Sequence, residues 1–292
     1  RDPLREVVVG ILSDAHVLID DVPGVGKTTL IRMLAGLLGL DFQRVQFTPD
    51  LLPSDVTGIN YFSQQSQRFE FRAGPVFANV ILADEINRAT PRTQSALLES
   101  MGEHQVTVEG EPRVLARPFL VIATQNPIEY EGTFPLPEAQ LDRFLLRVRM
   151  GYPDPDQEER ILTVPPSARR VAVRPLPALD LSALRALAAA VRIESPVRRY
   201  VVALARATRE HHDVQVGASP RAVEHLGDAA RAWALLDGRD YVLPDDVKAL
   251  APAVLTHRLV MTTDARIRDR AAEAVLAEVL EELPVPVEFQ GA

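Results

Sequence analysis

Two kinds of hydrophobic spacing divide the chain. Up to about residue 150, short apolar runs alternate with stretches whose apolar positions recur every three to four residues, the pattern of strand-helix-strand units feeding a parallel sheet. Strands are predicted over 16–20, 44–47, 80–83, 119–124 and 145–150. Val-Ile-Leu-Ala at 80–83 and Phe-Leu-Val-Ile-Ala-Thr at 119–124 are apolar throughout instead of alternating, as expected of central strands with helices on both faces. Helices are predicted over 27–38, closed by Gly39, and over 90–102, where Pro91 suits a first helical turn. Prolines at 153, 155, 165, 166, 175 and 177 then break the pattern. From Leu179 onward helical spacing takes over, as in Leu181, Leu184, Leu187, Ala188 and Val191, with helix starts at Ser219-Pro220 and near Pro244-Asp245-Asp246. The expected architecture is an α/β domain with a five-stranded parallel core over 1–155, followed by a helical domain over 156–292.

A length of 292 residues agrees with two domains. With 47% hydrophobic and 25% charged residues and no apolar run of membrane length, no membrane span is expected. The chain has no cysteine and does not open on a signal-peptide pattern, which makes the cytoplasm the expected location. The net charge of -8 argues against a polyanion as main partner, because phosphate binding is driven by clustered Lys and Arg.

The densest chemistry lies at Asp21-Val22-Pro23-Gly24-Val25-Gly26-Lys27-Thr28-Thr29, which follows one predicted strand and opens a predicted helix. A glycine-rich turn in that place lets successive backbone N–H groups curl around a phosphate, and the helix N-terminus adds a favourable dipole. Lys27 would then reach the β- and γ-phosphates of ATP, and the Thr28 hydroxyl would ligate Mg²⁺. The strict P-loop pattern has glycine where this chain has Asp21, but Pro23, Gly24, Val25, Gly26, Lys27 and Thr28 keep every residue that touches phosphate. The read-out is a P-loop NTPase core.

A second acidic site ends the run Val80-Ile81-Leu82-Ala83-Asp84-Glu85. In an open α/β sheet, ligands bind at the carboxyl ends of strands. Asp84 is placed to hold the magnesium, and Glu85 to orient and deprotonate the attacking water. His211-His212-Asp213 reads as a solvated helix end with its histidines on different faces, not as a metal site.

Three further segments carry a family resemblance: Asp84-Glu85-Ile86-Asn87-Arg88-Ala89, Ala123-Thr124-Gln125-Asn126-Pro127 and Gly217-Ala218-Ser219-Pro220-Arg221-Ala222. Together they resemble the MoxR family of AAA+ ATPases, over nearly the whole chain. The resemblance implies that Asn126 acts as sensor 1 beside Glu85. It implies that Arg143, in Leu141-Asp142-Arg143-Phe144, is an arginine finger directed at a neighbouring subunit's ATP, and that Arg221 is sensor 2. It also implies a homo-oligomeric ring, usually of six copies, and two inserts, 59–75 and the hairpin 103–115 turning at Glu109-Gly110. The residues around the adenine stay unassigned.

The resemblance favours an ATP-driven remodeller of protein clients, with roles in maturation or metal insertion and von Willebrand A domain proteins as partners. The alternative is a nucleic-acid motor, since related ATPases with the same insert include MCM helicases. The hairpin 103–115 carries Glu103, Glu109 and Glu111 against His104 and Arg113, so it would repel a phosphate strand more than attract it, and nucleic acid is not the expected partner.

Overall fold

The computed structural model describes residues 2–20, 22, 24–126, 132–163, 173–176 and 180–286. In chain order, α1 (Pro3–Leu12) leads into β1 (His16–Asp20), α2 (Lys27–Leu37), β2 (Phe42–Gln46) and α3 (Pro53–Thr57). The hairpin β3 (Gly58–Ser63) and β4 (Arg68–Ala73) precedes β5 (Val80–Asp84) and α4 (Pro91–Glu103). A second hairpin, β6 (Gln105–Val108) and β7 (Glu111–Val114), precedes β8 (Leu120–Gln125), α5 (Glu138–Leu141), β9 (Phe144–Val148) and α6 (Pro155–Thr163). The rest is α7 (Leu181–Ala190), α8 (Ser195–Glu210), β10 (Val214–Val216), α9 (Pro220–Leu236), α10 (Pro244–Leu255), β11 (Val260–Met261), α11 (Thr263–Ile267) and α12 (Ala272–Glu282).

The main sheet has five strands in the order β2-β5-β8-β1-β9. Each runs apolar where it is central: Val17, Leu18, Ile19, Ile81, Leu82, Ala83, Val121, Ile122 and Ala123 are fully buried. β2 lies at the edge and shows mostly polar, exposed side chains. That explains why it begins two residues before the predicted 44–47, for an edge strand has one apolar neighbour only and little apolar signal. β2 and β5 pair in parallel with Gln46 opposite Asp84, and β5 pairs with β8 with Ala83 opposite Ala123. The register therefore lines up Gln46, Asp84 and the Thr124 that follows Ala123 at one end of the sheet.

Proline opens α1, α3, α4, α9 and α10, where its missing N–H has no intrahelical role. The helix α1 runs through Val7-Val8-Val9, a β-branched triplet that hides it in the sequence. Its start is held by Asp2, whose side chain accepts from the Arg5 amide at 3.2 Å, and Val7 and Val9 are fully buried. The second hairpin turns where expected, with Glu109 and Gly110 both at positive φ (52° and 86°). This is the arrangement that a two-residue hairpin with the native strand twist requires.

The described residues pack as two compact units: 18–136 with 149–176, and 2–17 with 137–148 and 180–286. In the second, α9 packs on α7, α8 and α10, and its buried Ala222, Ala229, Ala230 and Ala232 permit close helix approach. A short ribbon, β10 with β11, ties two loops of that helical part together. No helix among the described residues is long and apolar enough to cross a membrane.

Candidate functional site

The turn before α2 is shaped by two glycines. Gly24 and Gly26 sit at φ 91° and 88°, a region closed to most side chains, and a Cβ on either would meet nothing within 4 Å. Open space beside a left-handed backbone turn, directly at a helix start, is the form of a phosphate nest. Val25 lies between them, and Pro23 falls outside the described residues. Lys27 opens the helix and its Nζ donates to the Val22 carbonyl at 3.0 Å.

A cleft of about 350 Å³ brings Gly24, Gly26, Lys27, Thr28 and Thr29 together with Asp84, Glu85 and Asn126. Arg44, Thr124 and Gln125 complete its lining. All of these residues belong to one compact unit. Every described residue predicted to bind or process nucleotide, apart from Val25, Arg143 and Arg221, thus lines one cavity. Asn126 is only 8% exposed at the end of β8.

The two carboxylates are held differently. Asp84 accepts from Arg44 through Nε at 3.0 Å and Nη2 at 2.6 Å, and from the Thr124 hydroxyl at 2.6 Å. Glu85 follows the strand in the left-handed conformation, φ 55° and ψ 50°, which a non-glycine residue adopts at a cost of about 1 kcal/mol or more. Its amide donates to the Thr124 oxygen at 2.9 Å, while its carboxylate accepts from Gln46 at 2.9 Å and Arg88 at 3.0 Å. The strained turn aims Glu85 into the cleft instead of along the strand.

The donor chemistry suits Mg²⁺. A hydroxyl and a carboxylate are hard oxygen ligands, and Mg²⁺ takes only one or two protein ligands when substrate phosphates and waters supply the rest. Among the described residues no cluster of three or more His, Cys, Asp or Glu side chains could hold a metal by itself. At His211-His212-Asp213 the helix end lies where expected, with His211 as the cap of α8, but the placing of the two histidines on different helix faces is corrected, because α8 stops at Glu210. Their rings stack at 4.6 Å, and Asp213 is 2% exposed and paired with Arg268 and Arg270.

Arg143 and Arg221 belong to the other compact unit. Arg143 follows Asp142, whose carboxylate accepts from the Ser219 hydroxyl at 3.1 Å and from Arg258 Nε at 2.8 Å. Ser219 in turn accepts from the Ala222 amide at 3.1 Å and so caps the helix on whose first turn Arg221 stands. Arg258, 5% exposed, also donates to the carbonyls of Asp142, Phe144, Leu145 and Val254 and contacts His225. Burial first, and the Arg258 charge next, push His225 down to about 3. Burial pulls Arg258 down to about 10 against the opposing pull of Asp142. This knot, and the partners of Asp84 and Glu85, were not visible in the sequence. An arginine at 44 inside a strand is the one hint it gave.

Comparison with known proteins agrees with this geometry. Residues 16–146 match the family model of the ATPase family associated with various cellular activities (AAA), and 206–279 match an AAA lid domain. The protein YeaC of Bacillus subtilis is 48% identical over 290 residues, covering 99% of this chain and 91% of that protein. Chaperone MoxR1 of Mycobacterium tuberculosis is 44% identical over 300 residues, covering 98% of this chain and 78% of its own. The crystal structure of an ATPase candidate from Cytophaga hutchinsonii superposes with a TM-score of 0.88 at 37% identity, covering 97% of this chain and 89% of that one. A phosphate nest, an acidic pair in the same cleft, and near-full-length similarity at these levels lead to one conclusion: this chain is an ATPase that belongs to the MoxR family of AAA+ proteins.

Proposed function

We propose that the chain hydrolyses Mg-ATP in a closed ring of its own copies and uses the cycle to remodel, mature or load metal into partner proteins. The observation that carries the reading is the convergence in one cleft of the Gly24–Gly26 turn, Lys27, Thr28, Asp84 and Glu85. The division proposed with it is a nucleotide-binding domain over 1–155 and a lid over 156–292.

In this reading the amides of the glycine turn and the Lys27 ammonium bind the β- and γ-phosphates. Thr28 and Asp84 would hold Mg²⁺, which when bound would supply positive charge to offset that of the phosphates. Glu85 takes a proton from the attacking water, and Asn126, on the neighbouring strand, orients that water. Arg143 of an adjacent copy neutralises charge that develops on the γ-phosphate, and Arg221 adds a second cation. Head-to-tail contacts of this kind close into rings when the rotation fits, with six copies as the proposed number.

The clients proposed are proteins, von Willebrand A domain proteins among them. M. tuberculosis MoxR1 is itself named a chaperone. The hairpin of β6 and β7 supports protein over nucleic acid, since its Arg113 is already paired with Glu111 at 3.0 Å and stacked 3.8 Å from the Phe71 ring centroid. The remaining charges there, Glu103 and Glu109, would repel phosphate.

The test is Arg143→Ala. Turnover should fall by about 10³–10⁵ with nucleotide affinity nearly intact, because a finger acts on the neighbour's transition state. Loss of nucleotide binding instead would remove Arg143 from that role.

A further inference from the structure

The carboxylate assigned to the metal is already occupied by a cation of the chain itself. Arg44 stands on the edge strand β2, opposite Leu82, and reaches diagonally to Asp84 with two donors at 3.0 and 2.6 Å. Asp84 is largely enclosed, its side chain 14% exposed, whereas that of Arg44 is 46% exposed. Two adjacent carboxylates, Asp84 and Glu85, face two guanidinium groups, Arg44 and Arg88, so the four side chains are neutral as a set.

Without such a partner the enclosed Asp84 carboxylate, set beside Glu85, would lose the two donors that fix its direction. A divalent cation at Asp84 reverses the argument. Arg44 would then face a stronger positive charge on the same oxygen, and being half in water it can leave at little expense. Two nearby cations have partners of their own: Lys27, which lines the same cleft, donates to the Val22 carbonyl, and Arg88 donates to Glu85.

We infer that Arg44 is a positioning residue that serves as the resident counter-cation of Asp84, holding the carboxylate in place and aimed while the metal is absent and leaving it when the metal site fills. Arg44 therefore competes with Mg²⁺, and removing it strengthens the contribution of Mg²⁺ to nucleotide binding. This rests on the assignment of Asp84 as the Mg²⁺ ligand made above.

The experiment measures the affinity of a fluorescent, non-hydrolysable ATP analogue with excess Mg²⁺ and again with EDTA, and takes the ratio. The ratio reads the metal's share of binding by linkage and needs no turnover. In Arg44→Gln it should rise by about two- to fivefold over the wild type, the weight of a half-exposed ion pair removed from competition. Arg44→Lys keeps the charge without the fork and should fall between the two. In an Asp84→Asn background, Arg44→Gln should leave the ratio unchanged, since a merely structural role for Arg44 would act regardless of residue 84. A wild-type ratio in both Arg44 variants, with Mg-nucleotide binding preserved, overturns the inference alone. A wild type that binds the analogue in neither condition overturns the nucleotide reading, and this inference with it.

Discussion

The nucleotide cleft and the knot around Asp142 are both built from arginine-carboxylate pairs, and they differ in how much water reaches them. In the cleft, Arg44 is 46% exposed against an Asp84 at 14%, while in the knot the Arg258 side chain is 2% exposed against an Asp142 at 21%. A half-exposed pair contributes little and exchanges partners readily, which a site that takes up and releases a charged ligand needs. A buried pair is held because breaking it strands a charge out of water. The knot accordingly suits a fixed joint: through Asp142 and Ser219 it ties the segment carrying Arg143 to the helix start carrying Arg221.

The sharpest way to break that contrast is to remove each arginine and compare stabilities. Arg258→Leu should lower the unfolding free energy by about 3–5 kcal/mol, because Asp142 and several carbonyls lose their donor together. Arg44→Gln should stay within about 1 kcal/mol of the wild type. Denaturant melts of the two variants check this, and equal losses would mean that burial does not separate the sites.

A smaller effect concerns pH. In the folded knot His225 binds a proton only near pH 3, against 6.5 for a free histidine, so the unfolded chain takes up a proton that the folded one refuses. Stability tied to His225 is complete above pH 6.5 and lost as pH falls toward 3, at about 1.4 kcal/mol per unit. Burial shifts His257 in the same direction. Denaturant midpoints between pH 7 and 5 should drop less steeply in His225→Gln than in the wild type, whereas parallel slopes would show that the histidine is not held neutral.

What the sequence disclosed follows the same division. The nest was legible because Gly24 and Gly26 before Lys27 encode their own backbone geometry, and the turn at Glu109-Gly110 because Gly110 accepts a positive φ at no steric cost. Central strands were legible from unbroken apolar runs. Arg258 is 116 residues from Asp142, and no local pattern announces a pairing across that separation. Arg44 is 40 residues from Asp84 and meets it only through sheet register. The helix α1 was obscured because local propensity disfavours three successive valines, and burial of Val7 and Val9 overrides it.

The central claim is that the glycine turn and Lys27 grip a triphosphate whose metal is held by Thr28 and Asp84. Calorimetry of Mg-ATP binding to the wild type and to Lys27→Ala tests it most directly. The account predicts clear binding to the wild type and an affinity lower by roughly a hundredfold without the lysine, the weight of a charge-assisted phosphate contact. A folded wild type that takes up no Mg-ATP, or a Lys27→Ala variant that binds it equally well, would contradict it.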